Sequence, residues 1–147
     1  MFGKLFLHKS LRFYLELCAG VIGIAAAILF YLLDRKVMGG NLGFSDISHF
    51  TLIFILAGSL LAIVDAFFPL PGLGIAATAV IGCGVGNHLR LACYPMADAV
   101  LGVAFFTKDV QKAQAAVTLF SIFLAIFLLI AIALIVGNFL DKEGKKD

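Results

Sequence analysis

The chain has 147 residues, of which 63% are hydrophobic and 14% charged, with a mean hydropathy of +1.11 and a formal net charge of +2. Soluble domains carry roughly 25% charged residues, so this composition reads as an integral membrane protein, and four spans of about 20 residues each exclude a sizeable soluble catalytic domain. The small positive charge sits mainly at the two ends, which suits headgroup contact and argues against a nucleic-acid surface, where a clustered basic patch is needed.

Residues 1–12, MFGKLFLHKSLR, mix Phe2, Leu5 and Phe6 with Lys4, His8, Lys9 and Arg12, a combination suited to a headgroup boundary. The apolar run 13–33 is too long for the core of a cleaved signal peptide and has no small-residue cleavage site before Asp34, so it predicts a retained first span. Glu16 falls about one turn inside it, four residues after Arg12, where the two can pair. Ala19, Gly23 and Ala27 form a row of small side chains that predicts a close helix contact.

Gly39, Gly40 and Gly43, with Asn41, Asp46 and Ser48, predict a loop over 34–48, and Asp46 or Ser48 can cap the helix that follows. The second span is read over 49–68, ended by Pro69-Leu70-Pro71-Gly72. So short a connection makes spans two and three antiparallel neighbours.

The third span, 72–94, is apolar as far as Gly86 and then carries Asn87, His88 and Arg90. Gly74, Thr78, Gly82 and Gly86 recur every fourth residue, drifting about 40° per step. They read as a narrow face of small side chains against another helix, with Arg90 delivered to the same seam. Residues 95–107, PMADAVLGVAFFT, are interrupted by Asp98 and Gly102 and are too short to cross alone. An interfacial helix is preferred there to a re-entrant piece or a continuation of span three past a Pro95 kink. Thr107 can cap the last helix, whose polar first turns, 108–114, lead into the last span, 115–138.

Cys18, Cys83 and Cys93 lie in or beside predicted helices and read as small packing residues. Cys83 and Cys93, ten residues and about 15 Å apart on one helix, cannot bond to each other. Val80-Ile81-Gly82-Cys83 resembles a lipoprotein cleavage box, but its place in the third span sets it aside. Basic residues split into Lys4, Lys9, Arg12, Lys142, Lys145 and Lys146 against Arg35, Lys36, Arg90, Lys108 and Lys112. With Arg90 discounted as buried, this favours both termini in the cytoplasm, beneath a plasma or bacterial inner membrane.

Folding the spans as antiparallel neighbours predicts two polar layers. The outer one contains Asp34, His49, Asn87, His88 and Arg90, with His88 level with Ile53 and Arg90 with Thr51. The inner one pairs Glu16 with Asp65. Charged groups in hydrocarbon cost about 2.5–3.5 kcal/mol, so both layers should face protein or water, although long side chains near the ends can reach the interface. The outer layer reads first as structural, then as the lining of a polar cavity, and last as a haem site using His49 and His88, whose depths differ by about a turn. The motifs HExxH, CxxC and His-x₃-His are absent, which argues against zinc, and the glycines of 82–86 lack the dinucleotide spacing. Glu16 and Asp65 could share a proton or coupling ion; the plainer alternative pairs Glu16 with Arg12 and leaves Asp65 hydrogen-bonded near the turn. No Ser-His-Asp or Cys-His set can be assembled.

The expectation is therefore a single all-α domain over 1–147: a four-helix antiparallel transmembrane bundle with a short interfacial helix between spans three and four. Its expected role is a non-enzymatic, helix-packing membrane subunit without a cofactor. It would be a homo-oligomer or an accessory to a larger assembly concerned with transport, with the lipid bilayer and itself or another membrane protein as partners, and no nucleic acid. The rival is a homo-oligomeric channel or ion-coupled transporter using Glu16 and Asp65, and a third reading is a b-type haem electron carrier.

Overall fold

Each apolar run of the sequence becomes one long helix. A computed structural model describes residues 10–38, 42–102 and 110–140, and among these there are four helices and no strand: α1 (Leu11–Met38), α2 (Leu42–Phe67), α3 (Leu73–Leu101) and α4 (Val110–Phe139). All four contain stretches long and apolar enough to cross a membrane. Ser10 precedes α1, and its Oγ accepts from the Phe13 backbone N–H at 3.4 Å, satisfying one of the free donors of the first turn.

A common periodicity explains which faces are inside. The buried residues of α3 include Gly74, Ala77, Ile81, Gly84, His88, Leu91, Pro95 and Asp98, and those of α4 are Ala113, Ala116, Phe120, Phe123, Phe127, Ile130, Leu134 and Gly137. Steps of three and four alternate, averaging about 3.5 residues, the repeat that keeps one stripe on its neighbours when helices pack at shallow angles. On α2 the same rhythm runs through Thr51, Ile55, Gly58, Ala62 and Asp65, and on α1 through Arg12, Glu16, Ala19, Gly23, Ala26 and Phe30.

The helices close into a ring in which α1 touches α2, α2 touches α3, α3 touches α4, and α4 returns to α1. Close backbone approach is bought with glycine. A Cβ on Gly20 would meet the Ser59 carbonyl oxygen and Ile63, one on Gly23 would meet Ser59 Oγ, and one on Gly58 would meet the Ala77 carbonyl and the Ile81 amide nitrogen. The expected row Ala19, Gly23, Ala27 on α1 is buried, and Gly23 in it meets α2.

Four expectations change. The loop expected over 34–48 is mostly helix: α1 continues to Met38 and α2 begins at Leu42, so Asp46 and Ser48 lie inside α2 and not ahead of it. Arg35 and Lys36 occupy the last turn of α1, where cations favour the helix dipole, and one glycine near a helix end costs only about 1 kcal/mol. The segment from Pro95 does not leave as an interfacial helix. Instead α3 runs through Pro95 to Leu101 and stops at Gly102, whose φ of 65° is left-handed. Pro95 and Asp98 continue the buried stripe, and packing of that stripe outweighs the roughly 3 kcal/mol cost of an interior proline. Residues 103–107, including the expected cap Thr107, fall outside the described residues. Gly72, with φ 84°, adopts the conformation that only glycine takes freely and starts α3.

The remaining changes concern the seam of α2 and α3. Gly82 and Gly86 are exposed, and a Cβ on either would meet nothing within 4 Å. A strict four-residue row rotates by about 40° per step, so it leaves the buried stripe after Gly74 and half-buried Thr78 and carries Gly82, Gly86 and Arg90 outward. The glycine that meets α2 is Gly84, where a Cβ would lie 2.7 Å from Ile55 Cδ1. The seam is also shifted by three residues from the expected level, because Asn87, and not Arg90, meets Thr51.

Candidate functional site

The most concentrated polar chemistry is at the end where α1 begins. Arg12 Nε donates to Glu16 Oε1 at 2.5 Å, and Arg12 Nη2 donates to Asp65 Oδ2 at 2.5 Å. All three side chains are buried, at 5%, 2% and 1% exposure. The i,i+4 spacing on α1 lays Glu16 beside Arg12, and α2 ends there with Asp65 on its buried stripe. The other two helices complete the layer. Asn138 Nδ2 of α4 donates to Thr78 Oγ1 of α3 at 3.0 Å, and Thr78 Oγ1 donates to the Gly74 carbonyl at 2.9 Å. Gly74 sits where a Cβ would run into Asn138 Oδ1, Asp65 Oδ2 and Arg12 Nη2, so its missing side chain is what lets the layer close. Phe13 and Phe67 cap the contact edge to face, with ring centres 5.5 Å apart.

The expected inner pair, Glu16 and Asp65, is thus brought together through a shared guanidinium. Arg12 was expected only as a partner of Glu16; its link to Asp65, and the roles of Thr78 and Asn138, were not anticipated. The available signal was geometric: a cation at i−4 from a buried carboxylate cannot avoid a second carboxylate placed level with both.

At the other end the outer set is dispersed. His88 is fully buried, and its Nε2 donates to the Phe120 carbonyl of α4 at 2.8 Å. Its other ring nitrogen, Nδ1, is buried and makes no hydrogen bond. The ring is enclosed by Phe30, Phe120 and Phe127 at centroid distances of 4.7, 5.4 and 5.2 Å, in edge and tilted arrangements that favour aromatic pairs. His49 belongs to a different seam, where its Nε2 lies 2.7 Å from the Tyr31 hydroxyl and 3.3 Å from Arg35 Nη2. Asn87 Nδ2 donates to Thr51 Oγ1 at 2.8 Å. Asp34 is buried and Arg90 exposed.

The printed hydrogen bonds of His49, Asn87 and His88 thus run to three different helix pairs, α1–α2, α2–α3 and α3–α4. The two histidines considered as haem ligands have different neighbours, and each has its Nε2 already engaged. Among the described residues no three His, Cys, Asp or Glu side chains converge as metal ligands. Asp98, read from sequence only as an interruption of the apolar stretch, is buried; the phenylalanines of α4 at 120, 123 and 127 are not singled out there, though their spacing of three and four is a visible signal of one face.

Exposure also reverses the basis of the expected orientation. Arg12 is spent inside the bundle and Arg90 stands outside it. The basic residues left to count are Lys4, Lys9, Lys142, Lys145 and Lys146 against Arg35, Lys36, Arg90, Lys108 and Lys112, which removes the majority that favoured cytoplasmic termini. No protein-family model, curated protein or solved structure matches this chain.

Proposed function

We propose that the chain is a membrane-embedded, antiparallel four-helix bundle whose role is to pack against another membrane helix, either in a second copy or in a larger assembly concerned with transport, and that it catalyses no reaction. Helices of 26 to 30 residues at about 1.5 Å per residue exceed the roughly 30 Å of bilayer hydrocarbon, which supports insertion of all four.

The observation that carries this reading is the outward face of α3. The other helices turn large side chains outward through their middles: Val21, Ile22 and Leu29 on α1, Ile53, Leu60 and Val64 on α2, and Leu128, Leu129 and Ile132 on α4. Between Ile75 and Leu89, α3 exposes only Ala76, Ala79, Gly82, Cys83 and Gly86. Lipid supplies little drive for helices to associate, so close packing of small faces supplies much of it.

Cys83 provides the test. With Cys18 and Cys93 replaced by serine, oxidation in native membranes should give a Cys83-linked dimer or a larger adduct. Gly82→Leu should prevent the adduct while leaving the bundle folded. A particle that is monomeric in mild detergent, with nothing copurified and no cross-link, overturns the reading.

The burial of Glu16 and Asp65 around one guanidinium supports a second reading, an ion- or proton-coupled transport site. Liposomes containing the protein would then show an ion or proton flux that Glu16→Gln and Asp65→Asn abolish. Flux unchanged by both variants, or no flux, removes it.

A further inference from the structure

Three charged side chains meet at the Arg12 end, and two of them are acids. Arg12 gives one nitrogen to each: Nε to Glu16 Oε1 and Nη2 to Asp65 Oδ2, both at 2.5 Å. An arginine fork ordinarily takes both oxygens of a single carboxylate. Here it is divided between two, so one planar group draws a carboxyl of α1 and a carboxyl of α2 to neighbouring positions, both almost fully buried. The two carboxyl groups are themselves hydrogen-bonded.

That last contact decides the chemistry. An ionised carboxylate only accepts, and a carboxyl group donates only while it carries a proton. Two ionised groups would repel where these two bond. The contacts that α3 and α4 add to the layer are neutral: Thr78 spends its hydroxyl on the Gly74 carbonyl, and Asn138 donates its amide to Thr78. A metal ion fits less well than a proton. It would lie beside a guanidinium bonded to the same two carboxyl groups, and no three acid, histidine or cysteine side chains converge among the described residues.

We propose that Glu16 and Asp65 hold a single exchangeable proton between them, so that the layer consists of one guanidinium, one carboxylate and one carboxylic acid. This rests on the site of the transport reading, but a resident proton is held whether or not the chain moves ions. Sharing has a signature that separate burial lacks, because the titration belongs to the pair and not to either residue. In Asp65→Asn, Arg12 is matched by Glu16 alone, which ionises. In Glu16→Gln it is matched by Asp65 alone, with the same result. Either change removes the acid, although each deletes only one carboxyl.

Infrared spectra of the full chain in dodecyl maltoside at neutral pH, recorded in light and heavy water, test this. The parent should show the carbonyl band of a protonated carboxylic acid, shifted in heavy water. Asp65→Asn and Glu16→Gln should each lose that intensity, whereas Asp34→Asn and Asp98→Asn, which alter the other buried acids, should retain it. Unchanged circular dichroism identifies the folded variants. A parent without the band overturns the proposal before any variant is made. A band that survives Asp65→Asn or Glu16→Gln overturns it too, since the proton would then belong to one residue alone. Flux in liposomes is read separately: the band without flux removes the transport reading and leaves the proton, and flux without the band does the reverse.

Discussion

The two ends of the bundle solve the same problem with opposite chemistry. At the Arg12 end, charged groups are inside and answer one another, with Gly74 making room and Thr78 and Asn138 extending the layer to α3 and α4. At the His88 end, the His88 level is a cluster of phenyl rings around one imidazole; beyond it the described cations are exposed, and the acids Asp34 and Asp98 are buried. The contrast follows from cost: removing an ion from water takes several kcal/mol, so an arginine stays inside only where a carboxylate meets it. Arg12 has two, and Arg90 is turned out.

The sharpest way to break this comparison is to remove the shared cation. Arg12→Leu leaves Glu16 and Asp65 buried without it and should cost about 3–5 kcal/mol, measured as a fall in the denaturation midpoint in mixed micelles. Glu16→Gln should cost less, about 1–3 kcal/mol, because Asp65 still holds the guanidinium. If Arg12→Leu is neutral, the ionic layer does not hold the helices together. At the other end Phe30→Ala opens a cavity among Phe120, Phe123 and Phe127 and should cost about 3–5 kcal/mol. Near-equal losses from chemically unlike residues would place the two ends on the same footing.

How far this arrangement could be read from residues alone differs between the ends. Arg12 with Glu16 is a local spacing and antiparallel folding brings Asp65 level with Glu16, so that much is legible from residues alone; that Arg12 bridges both carboxylates depends on how α1 and α2 pack. The far end depends on which side of α3 faces inward. A repeat of four seemed to mark Gly74, Thr78, Gly82 and Gly86, but the stripe that packs alternates threes and fours, and over three steps the difference rotates a residue by more than a quarter turn. That error exchanged Gly82 and Gly86 for Gly84, and buried Arg90 where Arg12 is the buried arginine. Local breaker signals misled in the same direction: Pro95 lies on the buried stripe of α3, and Gly43 and the polar residues near position 46 lie within α2.

Glycine substitutions sharpen the distinction at smaller energies. Gly74→Ala drives a methyl group into the Arg12, Asp65 and Asn138 side chains and should cost about 1–3 kcal/mol by overpacking. Gly86→Ala meets nothing and should leave the monomer unchanged or stabilise it by up to about 1 kcal/mol, through the higher helix propensity of alanine. A reversed order in a denaturation series would mean that Gly82 and Gly86, not Gly74, lie in the packed interior.

The smallest effect asks whether the His88 end relies on its hydrogen bond or on its rings. His88→Phe loses the donation from Nε2 to the Phe120 carbonyl, but that carbonyl can still accept from the amide four residues on within α4. The change also removes a buried nitrogen, Nδ1, that makes no hydrogen bond. A hydrogen bond contributes about 1 kcal/mol net, so the net cost of His88→Phe should stay within about 1 kcal/mol. His88→Ala, which also empties the space between Phe30 and Phe127, should cost at least about 2 kcal/mol. Equal losses for the two variants would show that the imidazole's hydrogen bond, and not its bulk within the aromatic cluster, ties α3 to α4. The two ends would then both be polar ties, and the contrast between an ionic layer and an aromatic one would not survive.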